Sequence, residues 1–176
     1  TARKIKEEHP DASVVFIGPC ASKKLEASRR TVRSDVDFVI TFEELTGMFQ
    51  AKGINPAEME EDTEMDDATG AGRGYGIAGG VANAIETVIR EYYPDTEVNI
   101  EHAESLSECK KMLLLAKAGK KNGCLIEGMA CPGGCVAGAG TNIAVNMAVK
   151  SVTDFKNSAA KSIPDPEVNQ SGVENK

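Results

Sequence analysis

Short apolar runs alternate along this chain with stretches whose apolar residues recur at helical spacing. Val14-Val15-Phe16-Ile17 reads as a buried strand, residues 36–41 as a second, Val98-Asn-Ile-Glu101 as a third, and residues 123–127, through Cys124, Leu125 and Ile126, as a fourth. Between them, residues 21–30 are rich in helix formers, and Thr41 followed by Glu44 makes a capping box for a helix running to about Lys52. Val81, Ile85, Val88, Ile89 and Tyr92 mark one face of a helix over 81–92. Leu106, Cys109, Leu113 and Ala116 do the same over 105–117, so both faces are expected to meet a core. Charged residues 1–9 suit a helix that Pro10-Asp11 breaks, and 142–160 reads as a last amphipathic helix.

This alternation predicts an α/β fold: a mainly parallel sheet of about four strands, flanked by helices and joined by right-handed crossovers. Residues 1–160 read as one domain, and 161–176, with two prolines and no apolar pattern, as a disordered tail or linker. In such folds ligands gather at strand ends. Cys20 after the first strand, the glycine loop over 70–80, and Cys131 and Cys135 after the fourth strand all fall at such places. They are expected to converge on one crevice.

A net charge of -7 argues against a nucleic-acid or anionic membrane surface, because phosphates reward basic patches. Five cysteines is an odd number, and with no secretory leader read within these residues metal or redox use is expected over a disulfide framework. A reducing, cytoplasmic setting fits that usage, and no apolar run has transmembrane length. The chain opens on Thr1 in what reads as the middle of a helix, so we treat it as a fragment and leave an upstream targeting signal open. The acidic run 58–67 reads as a solvated loop or exposed helix.

The chemistry concentrates in Glu127-Gly-Met-Ala-Cys-Pro-Gly-Gly-Cys-Val-Ala-Gly-Ala-Gly-Thr141. Pro132 suits a first helical position, and a helix starting there sets the Cys131 and Cys135 thiols on one face over its first turn. The N–H groups of Gly133 and Gly134 would then point at sulfur, and the positive end of the helix would favour thiolate. Cys109 and Cys124 read as packing residues. Gly74-Tyr-Gly-Ile-Ala-Gly79 matches the dinucleotide fingerprint literally, but it follows an acidic loop where the fingerprint needs a strand. A glycine loop presenting N–H groups at a helix start is the broader reading.

Three segments in order resemble the catalytic domain of iron-only (FeFe) hydrogenases. They are Gly18-Pro-Cys-Ala-Ser-Lys-Lys-Leu-Glu-Ala27, the Gly79-Gly-Val81 helix start, and Glu127-Gly-Met-Ala-Cys-Pro-Gly-Gly-Cys135. The resemblance implies one lobe of that domain and a 4Fe-4S cluster bridged to a di-iron unit, together the H-cluster. It implies Cys20 and Cys131 as cluster ligands and Cys135 as the bridging ligand. It also implies Lys23 as a donor to a cyanide, Glu26 as the partner of Lys23 or its neighbours, Met129 beside the di-iron unit, and Gly79 and Gly80 near its diatomic ligands. Taken alone, Lys23 and Lys24 read as exposed helix lysines and Met129 as core filler.

The family's first motif, Thr-Ser-Cys-Cys-Pro, with one cluster ligand and a proton-relaying cysteine, is not in this chain. Gly18 stands where a methionine is usual, Ala137-Gly-Ala-Gly-Thr141 replaces a Gly-Gly-Gly-Gln-Pro ending, and no histidine-rich segment follows. The parent is expected to interconvert H2 with protons and electrons, with the remainder of its chain and an electron carrier such as a ferredoxin as partners. The fragment alone is expected to be inactive. The alternative is a hydrogen sensor or iron–sulfur assembly protein without turnover, and a nucleotide-binding domain using Gly74 to Gly79 ranks behind both.

Overall fold

The computed structural model describes residues 1–29, 31–32, 34–60 and 68–164. Most of the acidic run and most of the expected tail therefore lie outside the described residues. The chain divides into two compact units, Thr1–Glu61 with Ala137–Ala144, and Asp62–Val136 with Val145–Lys176.

The first unit carries α1 (Ala2–Glu8), β1 (Val15–Ile17), α2 (Ser22–Ser28), β2 (Phe38–Ile40) and α3 (Phe42–Ala51). β1 and β2 pair in parallel, with Val15 opposite Phe38 and Ile17 opposite Ile40. The expected capping box is present: Glu44 N–H donates to Thr41 Oγ1 at 3.2 Å, and Thr41 N–H donates to Glu44 Oε2 at 2.8 Å. Lys24 Nζ reaches across from α2 to the Val39 carbonyl at 2.9 Å and to Glu44 Oε2 at 2.8 Å, tying helix, strand and cap together. The first strand was expected to be buried, and it is not. Val15 and Ile17 are 44% and 48% exposed and Phe38 60%. The sheet in this unit is two strands wide and α2 packs against β2, so the faces of these short strands stay open.

The second unit carries α4 (Gly70–Arg73), α5 (Gly80–Tyr92), β3 (Asn99–Glu104), α6 (Leu106–Lys117), β4 (Cys124–Met129) and α7 (Val145–Asn157). β3 and β4 pair in parallel, so the four strands form two parallel pairs, one in each unit. Ala82 and Ala84 of α5, Ala103 of β3, Met129 of β4 and Ala148 of α7 are buried, and four of these five are alanines, which allow close approach of helix to strand. The stretch 70–80 is not an open loop. Thr69 caps α4 through the Gly72 N–H, and Gly74–Gly76 continues as a 3-10 turn.

On α6 the stripe facing inward is rotated from the expected one. Cys109, Met112, Leu115 and Ala116 are half-buried, whereas Leu106 and Leu113 are 74% and 67% exposed. Ser105, with φ 91, starts the helix and donates its N–H to the Met129 carbonyl at 2.9 Å, which fixes the direction in which α6 leaves the sheet. Cys109 Sγ then lies 3.6 Å from the Ala103 carbonyl oxygen, consistent with a packing role.

Candidate metal centre

The second unit's site is built at the C-terminal ends of β3 and β4. Their register sets His102 opposite Glu127, Ala103 opposite Gly128 and Glu104 opposite Met129. Strand alternation sends Glu127 and Met129 to one face, and both are buried. Gly128 faces the other way, where a Cβ would stand 3.2 Å from Cys109 Sγ.

A buried carboxylate needs donors, and Glu127 finds them at the start of α5. Its Oε2 accepts from Gly79 N–H at 2.6 Å, and its Oε1 from Val81 and Ala82 N–H at 2.9 and 3.1 Å. These are groups that a helix N-terminus otherwise leaves unpaired, and the negative charge lies at the positive end of the helix. His102 Nδ1 stands 3.3 Å from the same Oε2. Gly79 takes φ 79 to make this entry, and a Cβ on Gly80 would collide with the Gly74 carbonyl oxygen. The dinucleotide reading loses its physical basis here, because this chain's own carboxylate fills the donors a phosphate would use. An open cavity of about 340 Å³ lies beside Gly79 and Gly80, with Asn83, His102 and Lys156 among its walls.

The cysteine turn differs from expectation. No helix starts at Pro132: Gly133 and Gly134 take φ 96 and 95, which a right-handed helix cannot contain, and a 3-10 turn forms instead over Cys135–Ala137. The two glycine N–H groups do not point at sulfur either. Gly133 N–H donates to Glu104 Oε2 at 2.7 Å, and Gly134 N–H donates to the Cys131 carbonyl at 3.0 Å. The Gly133 carbonyl accepts from Ala78 N–H at 3.1 Å, so the cysteine turn and the glycine turn before α5 are bonded to each other. Gly134 is buried, and a Cβ there would meet Ile77 C at 2.6 Å and Gly76 O at 2.7 Å.

In the first unit Cys20 follows Gly18 and Pro19, both buried, and is itself half-buried just ahead of α2. The Pro19 carbonyl accepts from Gly140 N–H at 2.9 Å, and a Cβ on Gly140 would stand 2.5 Å from Thr41 Cβ. That close approach explains a glycine within the Ala137-Gly-Ala-Gly-Thr141 run. Lys23 Nζ pairs with Glu26 Oε2 at 2.6 Å on α2, with side chains 42% and 38% exposed.

None of the five cysteines is in a disulfide. As thiols, Cys20, Cys131 and Cys135 have the donor chemistry that iron–sulfur clusters take, and the residues fit the group in that respect. No three His, Cys, Asp or Glu side chains gather as a metal-binding group among the described residues. Sequence reasoning gave no role to Glu127, Glu104 or His102. The available signal was an acidic residue inside the otherwise apolar strand Cys124-Leu-Ile-Glu-Gly-Met129, placed two positions from a buried methionine.

Comparison with known proteins gives a consistent result. Residues 1–139 match the family described as "Iron only hydrogenase large subunit, C-terminal domain". The periplasmic Fe hydrogenase large subunit of Nitratidesulfovibrio vulgaris is 30% identical over 175 residues, covering 79% of this chain and 41% of that one. Iron hydrogenase 1 of Clostridium pasteurianum is 29% identical, covering 72% of this chain and 28% of that one. The chain thus spans less than half the length of these relatives. An FeFe-hydrogenase structure from Chlamydomonas reinhardtii superposes with a TM-score of 0.65 at 21% identity, over 96% of this chain and 61% of that one, which speaks to the fold. With the family match running through the Cys20 loop, the start of α5 and the cysteine turn, the chain belongs to the iron-only hydrogenases, in the C-terminal domain of their large subunit.

Proposed function

We propose that this chain supplies three thiolates, from Cys20, Cys131 and Cys135, to an iron–sulfur-linked di-iron site in a protein that interconverts H2 with protons and electrons. The observation that carries the reading is the Cys131–Cys135 turn, whose left-handed glycines lie within the family match and bring the chain back on itself between two cysteines. When bound, the cluster would supply the redox chemistry and the di-iron unit the site of H2 cleavage or formation. Cys20 and Cys131 would hold the cluster, and Cys135 would be the thiolate it shares with the di-iron unit. Met129, buried at the end of β4, would pack beside the di-iron unit, and Gly79 and Gly80, which border an open cavity, would lie near its small ligands. Lys23 offers an ammonium to an anionic ligand, with Glu26 holding it.

The partners in this reading are the remainder of the hydrogenase chain and an electron-transfer protein such as a ferredoxin. The open apolar side chains of Val15, Ile17 and Phe38 favour a large protein partner over solvent. Anaerobic reconstitution with iron and sulfide, followed by iron counting and H2 uptake, tests the reading. The chain is expected to take up iron without turnover, since the Thr-Ser-Cys-Cys-Pro motif is not part of it. Robust H2 uptake by this chain alone would overturn the need for that motif. A parent that retains a double cysteine there is a catalyst, whereas a single cysteine marks the sensor or assembly alternative.

A further inference from the structure

The residues that bring Cys131 and Cys135 into one turn sit on neighbouring strands and do not themselves bear sulfur. We propose that Glu104 and Glu127 are positioning residues, a pair of carboxylate clamps that lock the cysteine turn and the glycine turn into one preformed piece before any metal arrives. This rests on the reading of Cys131 and Cys135 as cluster thiolates. Each carboxylate holds one turn. Glu127 accepts from Gly79, Val81 and Ala82 N–H, which fixes the left-handed Gly79 and the first turn of α5. Glu104 accepts from Gly133 N–H at 2.7 Å, which fixes the backbone between the two cysteines. The Ala78 N–H to Gly133 carbonyl bond then joins the two.

Both clamps act on glycine backbone. Gly133 and Gly134 are the residues with the widest backbone freedom, and a Cys-Pro-Gly-Gly-Cys turn without outside bonds samples many spacings between its thiols. The Gly133 N–H meets the β3 edge, where parallel pairing sets Glu104 opposite Met129, two residues before Cys131, while the Gly134 N–H closes the turn on the Cys131 carbonyl. Glu104 is itself oriented from behind, since its backbone N–H donates to Glu108 Oε2 at 2.9 Å in the first turn of α6. His102 plays the same part for Glu127, its Nδ1 lying 3.3 Å from Oε2 with the ring half-exposed at the sheet edge. Carboxylates that orient the groups next to metal ligands typically change metal affinity tenfold to a hundredfold when removed.

The test compares the full chain with Glu104→Ala and Glu104→Gln, metal-free and with Cd²⁺ as probe. Hydrogen exchange of the Ala78, Gly133 and Gly134 amides reports the clamp without metal, and the thiolate–Cd²⁺ absorption band reports affinity. Glu104→Ala is expected to speed exchange at all three amides and to weaken Cd²⁺ binding by about tenfold or more. Glu104→Gln, which keeps a carbonyl acceptor, should restore most of both, with the unfolding transition of all three proteins cooperative and close. Unchanged exchange in Glu104→Ala overturns the proposal, as does faster exchange that Glu104→Gln fails to restore. Cd²⁺ binding that survives Cys131→Ser and Cys135→Ser together, while exchange still responds to Glu104→Ala, leaves the clamp standing and overturns the thiolate reading instead.

Discussion

At the scale of single residues, Glu127 shows how one buried carboxylate organises backbone far away in sequence. Its three N–H partners lie 48, 46 and 45 residues before it. Glu127→Gln would turn an NH2 group toward at least one of those donors, leaving it unpaired in a buried site. The expected cost is about 1–3 kcal/mol in urea unfolding, with α5 fraying first. Gly134 is the second sensitive position. At φ 95 and packed on Gly76 and Ile77, it has no space for a Cβ, so Gly134→Ala is expected to lose at least about 2 kcal/mol. Neither result was legible in the sequence. Glu127 is visible there as an acidic residue in an apolar strand, but its partners are set by tertiary packing.

At the scale of elements, what is coded locally was legible and what is coded by neighbours was not. The Thr41–Glu44 box is a four-residue signal, and it forms as written. Thr41→Ala should cost about 1 kcal/mol. Glu44 also meets Lys24, whose ammonium, followed by the Thr41 N–H, holds the Glu44 carboxyl down from its usual 4.5 to about 2. A carboxyl whose folded value is depressed stabilises the fold above its unfolded value, and that contribution drains away as pH falls from 4.5 toward about 2. Acid titration of the helix signal should therefore lose part of its slope in that window in Glu44→Gln. On α6, by contrast, periodicity supplied the helix but not its rotation, which Ser105 and the end of β4 set together. Met112→Ala, on the inward stripe, should cost about 1–2 kcal/mol, and Leu113→Ala, 67% exposed, less than about 0.5. The Pro132 helix failed for a similar reason. Proline at a first helical position is a real preference, but two successive left-handed glycines override it.

At the scale of the whole molecule, the α/β class and the parallel pairing followed from the alternation of strands and helices, and the four strands stand close to where the pattern put them. Their burial did not follow. Strands as apolar as Val15–Ile17 normally signal an enclosed sheet, and here the enclosing layer is not among the described residues. The proposed role of this chain turns on which of its thiols meet iron. The direct measurement is iron and acid-labile sulfide bound per chain after anaerobic reconstitution, in a series of single cysteine-to-serine variants. Cys20→Ser, Cys131→Ser and Cys135→Ser are each expected to lose most of the bound iron, whereas Cys109→Ser and Cys124→Ser retain it. Equal iron in all five variants, or loss confined to Cys109→Ser and Cys124→Ser, would rule out Cys20, Cys131 and Cys135 as the iron ligands.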